Sequence, residues 1–323
     1  MRYGVPYRGS KNKIAQWVVS NLLAGDTLID LFAGGCAATH AALLSGKWNR
    51  IVANDIGDAP QLFMDAVHGK YANEKRWISR EDFHRLKDSD PYVSLCWSFG
   101  NNRMDYLYSK EIEPWKKALH YARVFGDTSL LREFGINSDG SSKDIKPNNE
   151  EYKRLYSQWL GHQVKHKRLY DLDHLARLEN LERLQNLERL QRLECLQRLE
   201  RLQSDYRDVQ IPPNAVVYAD PPYKRTNCTG YKCDFDHESF EKWLAETPFM
   251  VVISEYEAPS GCVEVASIKK QSSMGTGNKG RSDIEKMFVQ ERFVEQYENS
   301  FNVRGGGGEC EAADRQTKKE DRC

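Results

Sequence analysis

Apolar residues in "KNKIAQWVVSNLL" (11–23) recur at helical spacing, whereas "DTLIDLFAG" (26–34) is a short continuous apolar run that closes on small residues. The first pattern predicts a helix and the second a buried strand. Helical character resumes in "CAATHAALLSG" (36–46), and "RIVAND" (50–55) predicts a second strand ending in an acid. This order of strand, glycine turn, helix and strand opens a doubly wound parallel sheet. The same texture returns late in the chain with "AVVYAD" (215–220) and "FMVVIS" (249–254), two further buried strands. "EKMFVQERF" (285–293) predicts a closing strand or hairpin.

The intervening chain is different. From about 60 to 170 the pattern is mostly helical and rich in Trp, Tyr, Lys, Arg and Asn, which predicts a helical subdomain inserted into the α/β unit. Then leucine recurs at every third position from Leu175 to Leu202. On an α-helix a step of three residues advances 300°, so these leucines wind around the axis and leave no single apolar face. Leu, Glu, Arg and Gln nonetheless favour helix, and Glu179–Arg183, Glu188–Arg192 and Glu194–Arg198 are well-oriented i,i+4 pairs. A leucine-rich solenoid also spaces leucines by threes, but its longer unit and extra L-x-L step are absent. The expectation is a helix over 171–197, with the last copy, "LERLQS" (199–204), entering the third strand of the sheet. The expected organisation is a discontinuous α/β domain over 1–58 and 199–304, an inserted helical subdomain over 59–170, a connector over 171–198 and a disordered polar tail over 305–323.

Composition narrows this only a little. The 323 residues carry 40% hydrophobic and 29% charged side chains, as a globular α/β protein does. No apolar run is long enough to span a bilayer, so no membrane association is expected. Lys+Arg and Asp+Glu balance at 47 each, so any nucleic-acid surface must be local. The eight cysteines are scattered, and even Cys228 and Cys233 lack the partners a zinc site needs, so no metal is expected. A reduced, cytoplasmic protein is the simplest reading.

The chemistry concentrates in "DPPY", Asp220-Pro221-Pro222-Tyr223, at the carboxyl end of a predicted parallel strand, where open α/β sheets bind ligands. Two prolines stiffen the turn and remove two backbone donors. The turn so presents a carboxylate, free carbonyls and an aromatic ring in fixed relation. That set suits a planar heteroaromatic amine: Asp220 and the Pro221 carbonyl accept its N–H groups while Tyr223 stacks on the ring. Holding both hydrogens favours the pyramidal, nucleophilic form of the nitrogen. The glycine turn after Asp30 and Phe32, at Gly34, allows close backbone approach, and Asp55 at the end of the next strand is placed for ribose hydroxyls. Neither a P-loop nor a G-x-G-x-x-G motif is present, which argues against phosphate cradling. Tyr7 and Lys11 add a ring and a cation just ahead of the first helix.

Together these segments resemble the Dam-like, class-α DNA adenine methyltransferases of the bacteriophage type. The aromatic-x-G-x-K opening of that family is matched by Tyr7-Arg8-Gly9-Ser10-Lys11, its D/E-x-F-x-G turn by Asp30-Leu31-Phe32-Ala33-Gly34, and its second acid by Asp55. Its catalytic motif is matched by Asp220-Pro221-Pro222-Tyr223, in the family's order. The likeness extends through "SFGNN" (98–102) and into "EKMFV" (285–289). The resemblance implies a Rossmann-like sheet and transfer of a methyl group from S-adenosylmethionine to the exocyclic amine of adenine. Transfer would be direct, on a nucleotide flipped out of the duplex. It implies that Tyr7, Lys11, Asp30, Phe32, Gly34, Asp55 and Asp220 contact the cofactor, and that Asp220, Pro221, Pro222 and Tyr223 hold the adenine. Asp205-Tyr206 would sit beside the cofactor's own adenine. One departure stands out: many relatives have Gly where this chain has Cys36.

Double-stranded DNA is the expected partner, in the cytoplasm of a bacterial or phage-infected cell, with the protein a monomer or weak dimer. Basic and aromatic residues interleave in 73–77, 97–110 and 113–125. Arg8, Asn101, Asn102, Arg103, and Lys279 and Arg281 in the glycine-rich 272–282 stretch, are the expected DNA contacts. Two alternatives stay open at this point: an RNA or protein-glutamine methyltransferase on the same fold, and an inactive methyltransferase-fold binding protein. Related glutamine enzymes usually carry Asn in place of Asp220, which argues against that branch.

Overall fold

In the computed structural model, residues 3–132, 184–187, 194–224, 235–271 and 282–302 are described. Seven strands among them build one sheet in the order β3-β2-β1-β4-β5-β7-β6. The strands are β1 (Thr27–Asp30), β2 (Arg50–Asn54), β3 (Leu199–Leu202), β4 (Val216–Ala219), β5 (Val251–Glu255), β6 (Cys262–Gln271) and β7 (Ser282–Gln290). The first five run parallel, and β7 enters antiparallel to both β5 and β6. The near-continuous apolar runs of β1, β4 and β5 follow from burial on both faces, which a central parallel strand requires.

From β1 the chain proceeds outward to β2 and β3 and then returns to β4 on the other side of β1, so the order reverses between β1 and β4. The carboxyl ends of these two strands, which carry Asp30 and Asp220, lie side by side at that reversal, with Leu31 N–H donating to Tyr218 O at 2.9 Å. Such a switch point leaves a crevice for a ligand.

The third strand falls where the leucine repeat was expected to enter the sheet: Leu199–Leu202 pairs with Ile51–Asn54. Upstream, 184–187 is a helical turn that buries Leu184 and Leu187 in the main core. The α-helix expected to run to 197 is corrected at Glu194–Arg198, which is a 3-10 turn. Leu196 within this turn and Leu199 at the start of β3 both pack against the core. Arg198 donates to Trp48 O at 3.0 Å and Leu43 O at 3.2 Å from that turn, and the rest of the repeat, with the Glu179–Arg183 and Glu188–Arg192 pairs, lies outside the described residues, as do Cys228, Cys233 and 305–323.

The chain between β2 and β3 begins with α3 (Ala59–Val67), α4 (Arg80–Leu86) and α5 (Pro91–Cys96), followed by α6 (Glu113–Phe125) and α7 (Ser129–Arg132). Before them come α1 (Ala15–Ser20) and α2 (Ala37–Ser45); α8 (His237–Glu246) and α9 (Val294–Asn302) complete the set described. In the helical segment Trp77 stacks on Tyr108 and meets Trp97 edge-on, and Trp97 is fully buried. One apolar cluster runs without a break from Leu28 and Ile51 of the sheet through Phe63, Phe83 and Tyr92. These aromatics are interior packing, which is the usual fate of large rings.

The strand β6 escaped the sequence reading. Its side chains are half-buried or exposed wherever described, so "CVEVASIKK" has no buried run to announce it. It is the edge of the sheet, and its pairing with β7 supplies the hairpin expected at 285–293.

Candidate active site

The turn after β1 is built by close approach. Gly34 has φ +46°, and a Cβ there would meet the Tyr7 ring at 2.7 Å. A Cβ on Gly35 would sit 2.8 Å from the Val5 carbonyl. The N-terminal segment therefore lies flat on the glycine turn, tied by Val5 N–H to Gly35 O at 2.7 Å and by Gly4 N–H to His40 Nδ1 at 3.0 Å. Cys36 follows in the left-handed region at φ 56° as the N-cap of α2. Glycine would adopt that conformation without the steric penalty that the Cys36 Cβ carries.

Asp55 closes the turn from the side. Its two carboxylate oxygens accept the Gly34 N–H at 2.8 Å and the Gly57 N–H at 2.7 Å. Each oxygen keeps a second lone pair for a hydroxyl donor. Burial raises its pKa, opposed by those two N–H groups and by Arg103. Asp30 is deeper. Its Oδ2 accepts the Thr39 hydroxyl at 2.7 Å, its Oδ1 has no hydrogen-bond partner among the described residues, and burial pushes the carboxyl up to about 7.

Across the crevice, the Asp220-Pro221-Pro222-Tyr223 turn leaves β4 with Asp220 Oδ1 accepting from Lys11 Nζ at 2.7 Å. That ammonium also lies 3.5 Å from Glu285 Oε1 and 4.5 Å from the Tyr223 ring centroid. Burial alone would lower the Lys11 pKa, but Asp220 and Glu285 outweigh it and hold the amine protonated. The Tyr223 hydroxyl donates to Glu285 Oε1, and its ring meets Tyr256 edge-on at 4.7 Å. Glu255, at the end of β5, accepts Tyr256 N–H at 2.8 Å and Lys224 N–H at 3.4 Å, and burial pushes it up to about 7.

One cavity joins these parts. Tyr7, Arg8, Lys11, Asp30, Phe32, Gly34, Asp55, Arg103, Asp220, Pro221, Pro222 and Tyr223 all line it, so segments more than 200 residues apart share one wall. A family model described as D12 class N6 adenine-specific DNA methyltransferase matches residues 7–274, from Tyr7 through the whole of this crevice. The chain belongs to that family. It is an adenine-specific DNA methyltransferase, and its DPPY turn and glycine turn line the same cavity. No curated protein matches the chain significantly. Among the described residues, no group of His, Cys, Asp and Glu could hold a metal ion, and no helix is long and apolar enough to cross a membrane.

Other expected contacts of the methyltransferase lie elsewhere. Asp205 caps the 3-10 turn Tyr206–Asp208 and pairs with Arg207 at 2.8 Å, and Tyr206 is buried behind Phe32, ring centroids 5.3 Å apart; neither lines the cavity. Asn101 turns its amide inward to Leu95 O at 2.7 Å, and the Asn102 carbonyl accepts the N–H groups of Met104 and Asp105. Both carboxamides are engaged in local hydrogen bonds, the Asn102 amide donating to Asp105 Oδ2 at 2.8 Å on the exposed side. Arg103 reaches the cavity rim, where its guanidinium pairs with Asp58. Lys279 and Arg281 lie outside the described residues.

Glu285 is the residue that the sequence reading missed. It shares its face of β7 with Met287 and Val289, all fully buried. A carboxylate in the apolar phase of a strand was the available signal.

Proposed function

We propose that this crevice binds S-adenosylmethionine against the glycine turn and presents a flipped adenine to the DPPY turn, with direct transfer of the methyl group to N6. The observation that carries the reading is the single cavity lined by both turns. The residues present fit the cofactor: the partnerless Asp30 oxygen suits an ammonium or amide donor, the spare lone pairs of Asp55 suit ribose hydroxyls, and Phe32 offers a ring. When bound, the cofactor supplies an electrophilic methyl group on a sulfonium. The protein's part is to hold the amine. Asp220 and the Pro221 carbonyl accept its two hydrogens, which withdraws the nitrogen lone pair from the purine and aims it outward. The raised Asp220 pKa, set first by burial and opposed by Lys11, suits a carboxylate that later takes the proton the nitrogen must lose.

DNA approach from the 98–106 loop is supported by its exposed apolar side chains. Phe99 and Met104 are each about half exposed, as is Ile56 on the cavity wall. Apolar groups beside a base-flipping pocket can fill the gap left in the stack. Arg8 and Arg103 at the rim supply cations for phosphate.

The test is transfer of tritium from labelled S-adenosylmethionine to unmethylated duplex DNA, with nucleoside analysis and parallel calorimetric titration of the cofactor. Label in N6-methyladenine, and at least about tenfold weaker cofactor binding by Asp55→Ala, are the expected results. Unchanged cofactor binding by Asp55→Ala would overturn the placement.

A further inference from the structure

We infer that Glu285 is a positioning residue for methyl transfer, one that fixes the Tyr223 ring and divides the Lys11 ammonium between two carboxylates. The inference rests on the placement of adenine at the DPPY turn. It concerns a residue beyond the span 7–274 that the family model matches.

Glu285 is fully buried on the face of β7 that meets the catalytic turn, and its Oε1 gathers two donors. One is the Tyr223 hydroxyl and the other is Lys11 Nζ at 3.5 Å. Tyr223 is thereby pinned at three points. Its hydroxyl is held by Glu285, its face is capped by Lys11 at 4.5 Å, and its edge meets Tyr256. A ring that stacks on a substrate purine must be fixed in tilt as well as position, and a hydrogen bond at the para oxygen fixes tilt with the longest lever.

The second effect is electrostatic. Lys11 is the cation nearest Asp220, and Glu285 competes for it. An ammonium drawn wholly to Asp220 would occupy its lone pairs and weaken it as an acceptor for the adenine amine. Glu285 holds part of that ammonium away. The titratable groups around Asp220 are Lys11 from the N-terminal segment, Asp30 from the end of β1, Tyr218 and Tyr223 from β4 and its turn, Glu255 from β5 and Glu285 from β7. Of these, Lys11 and the Tyr223 hydroxyl favour the ionised form of Asp220 and Glu285 opposes it. Removing the Glu285 charge therefore lowers the pH at which Asp220 ionises.

The experiment compares Glu285→Gln, Tyr223→Phe, the double variant and Asp220→Ala in the full chain. It reads single-turnover transfer over a range of pH, cofactor affinity, and fluorescence of 2-aminopurine at the target position of duplex DNA. Glu285→Gln is expected to keep cofactor affinity within about threefold, to slow transfer about tenfold or more, and to move the acid limb to lower pH. The double variant should be no slower than the slower single variant, and Tyr223→Phe and Glu285→Gln should alter the 2-aminopurine signal alike. Wild-type rate and acid limb in folded Glu285→Gln, or rate losses that simply multiply in the double variant, overturn the inference. If Glu285→Gln does not fold, Tyr223→Phe decides: an unchanged rate and fluorescence signal overturn it. Full transfer by Asp220→Ala would instead sink the placement of adenine at this turn, and the inference with it.

Discussion

Lys11 Nζ lies 2.7 Å from Asp220 Oδ1, a partly buried contact between residues 209 positions apart that joins the N-terminal segment to the DPPY turn. Deleting the ammonium leaves Asp220 and Glu285 facing each other with no cation between them. We expect Lys11→Met to cost about 3–5 kcal/mol of stability, the usual loss when one partner of a buried pair is removed. Adding Asp220→Asn should recover much of that stability and none of the activity. Urea denaturation of the two variants checks this; equal stabilities would show that the ion pair is not what holds the segment down.

Asp30 provides a pH test. Its folded pKa of about 7 lies well above the ordinary value of 3.8, because burial penalises the charged form. The native state therefore holds the proton longer than the unfolded chain does. Stability contributed by this difference is present below the unfolded value and is lost as pH rises through the folded one. Asp30→Asn removes the titration and can still accept the Thr39 hydroxyl. Wild type should lose stability relative to Asp30→Asn by on the order of 2–3 kcal/mol between about pH 5 and pH 8. Parallel denaturation curves with a constant offset across that range would contradict the assignment.

Two glycines with similar backbone angles should behave very differently. Gly4 has φ +63° and a Cβ there would overlap the Gly35 carbonyl, whereas Gly46, at φ +65°, has open space around it. Gly46→Ala should cost only the left-handed backbone penalty, about 1–2 kcal/mol. Gly4→Ala adds a clash with backbone that cannot give way. It should cost distinctly more and should weaken cofactor binding as the N-terminal segment lifts from the glycine turn. Thermal melts and cofactor titration of both variants measure the contrast.

The central strands and the two turns were legible because burial on both faces and tight backbone approach leave blunt marks: apolar runs, Gly34-Gly35 and the paired prolines. The register that brings Lys11 to Asp220 left none, since it depends on packing between segments far apart in sequence. Glu285 was missed for a related reason. Its neighbours Met287 and Val289 announce a buried strand face, but the partners that make a buried carboxylate tolerable there come from two other segments. Tyr206 shows how a local pattern leaves placement open. An acid–Tyr pair after the third strand suggested cofactor contact, yet the ring completes a cluster with Phe32, Phe240 and Trp243 behind the cavity wall.

The loop 98–106 separates framing from DNA contact in one experiment. Asn101 sits at φ 56° with its amide bonded to Leu95 O, and Phe99, two residues earlier, is about half exposed. Asn101→Ala loses a hydrogen bond and places an alanine in the left-handed region, so it should cost about 2 kcal/mol of stability. Asn101→Gly should recover the backbone part of that loss. Neither should change which DNA sequence is methylated if the side chain only frames its loop. Phe99→Ala should leave the melting temperature within about 1 °C, since an exposed ring contributes little to the fold. If its ring fills the stack vacated by the adenine, the same variant should raise the Kd for duplex DNA and lower 2-aminopurine fluorescence at the target. A shift in methylated sequence with Asn101→Gly would return that residue to base reading. A DNA affinity unchanged by Phe99→Ala would move the docking face away from this loop.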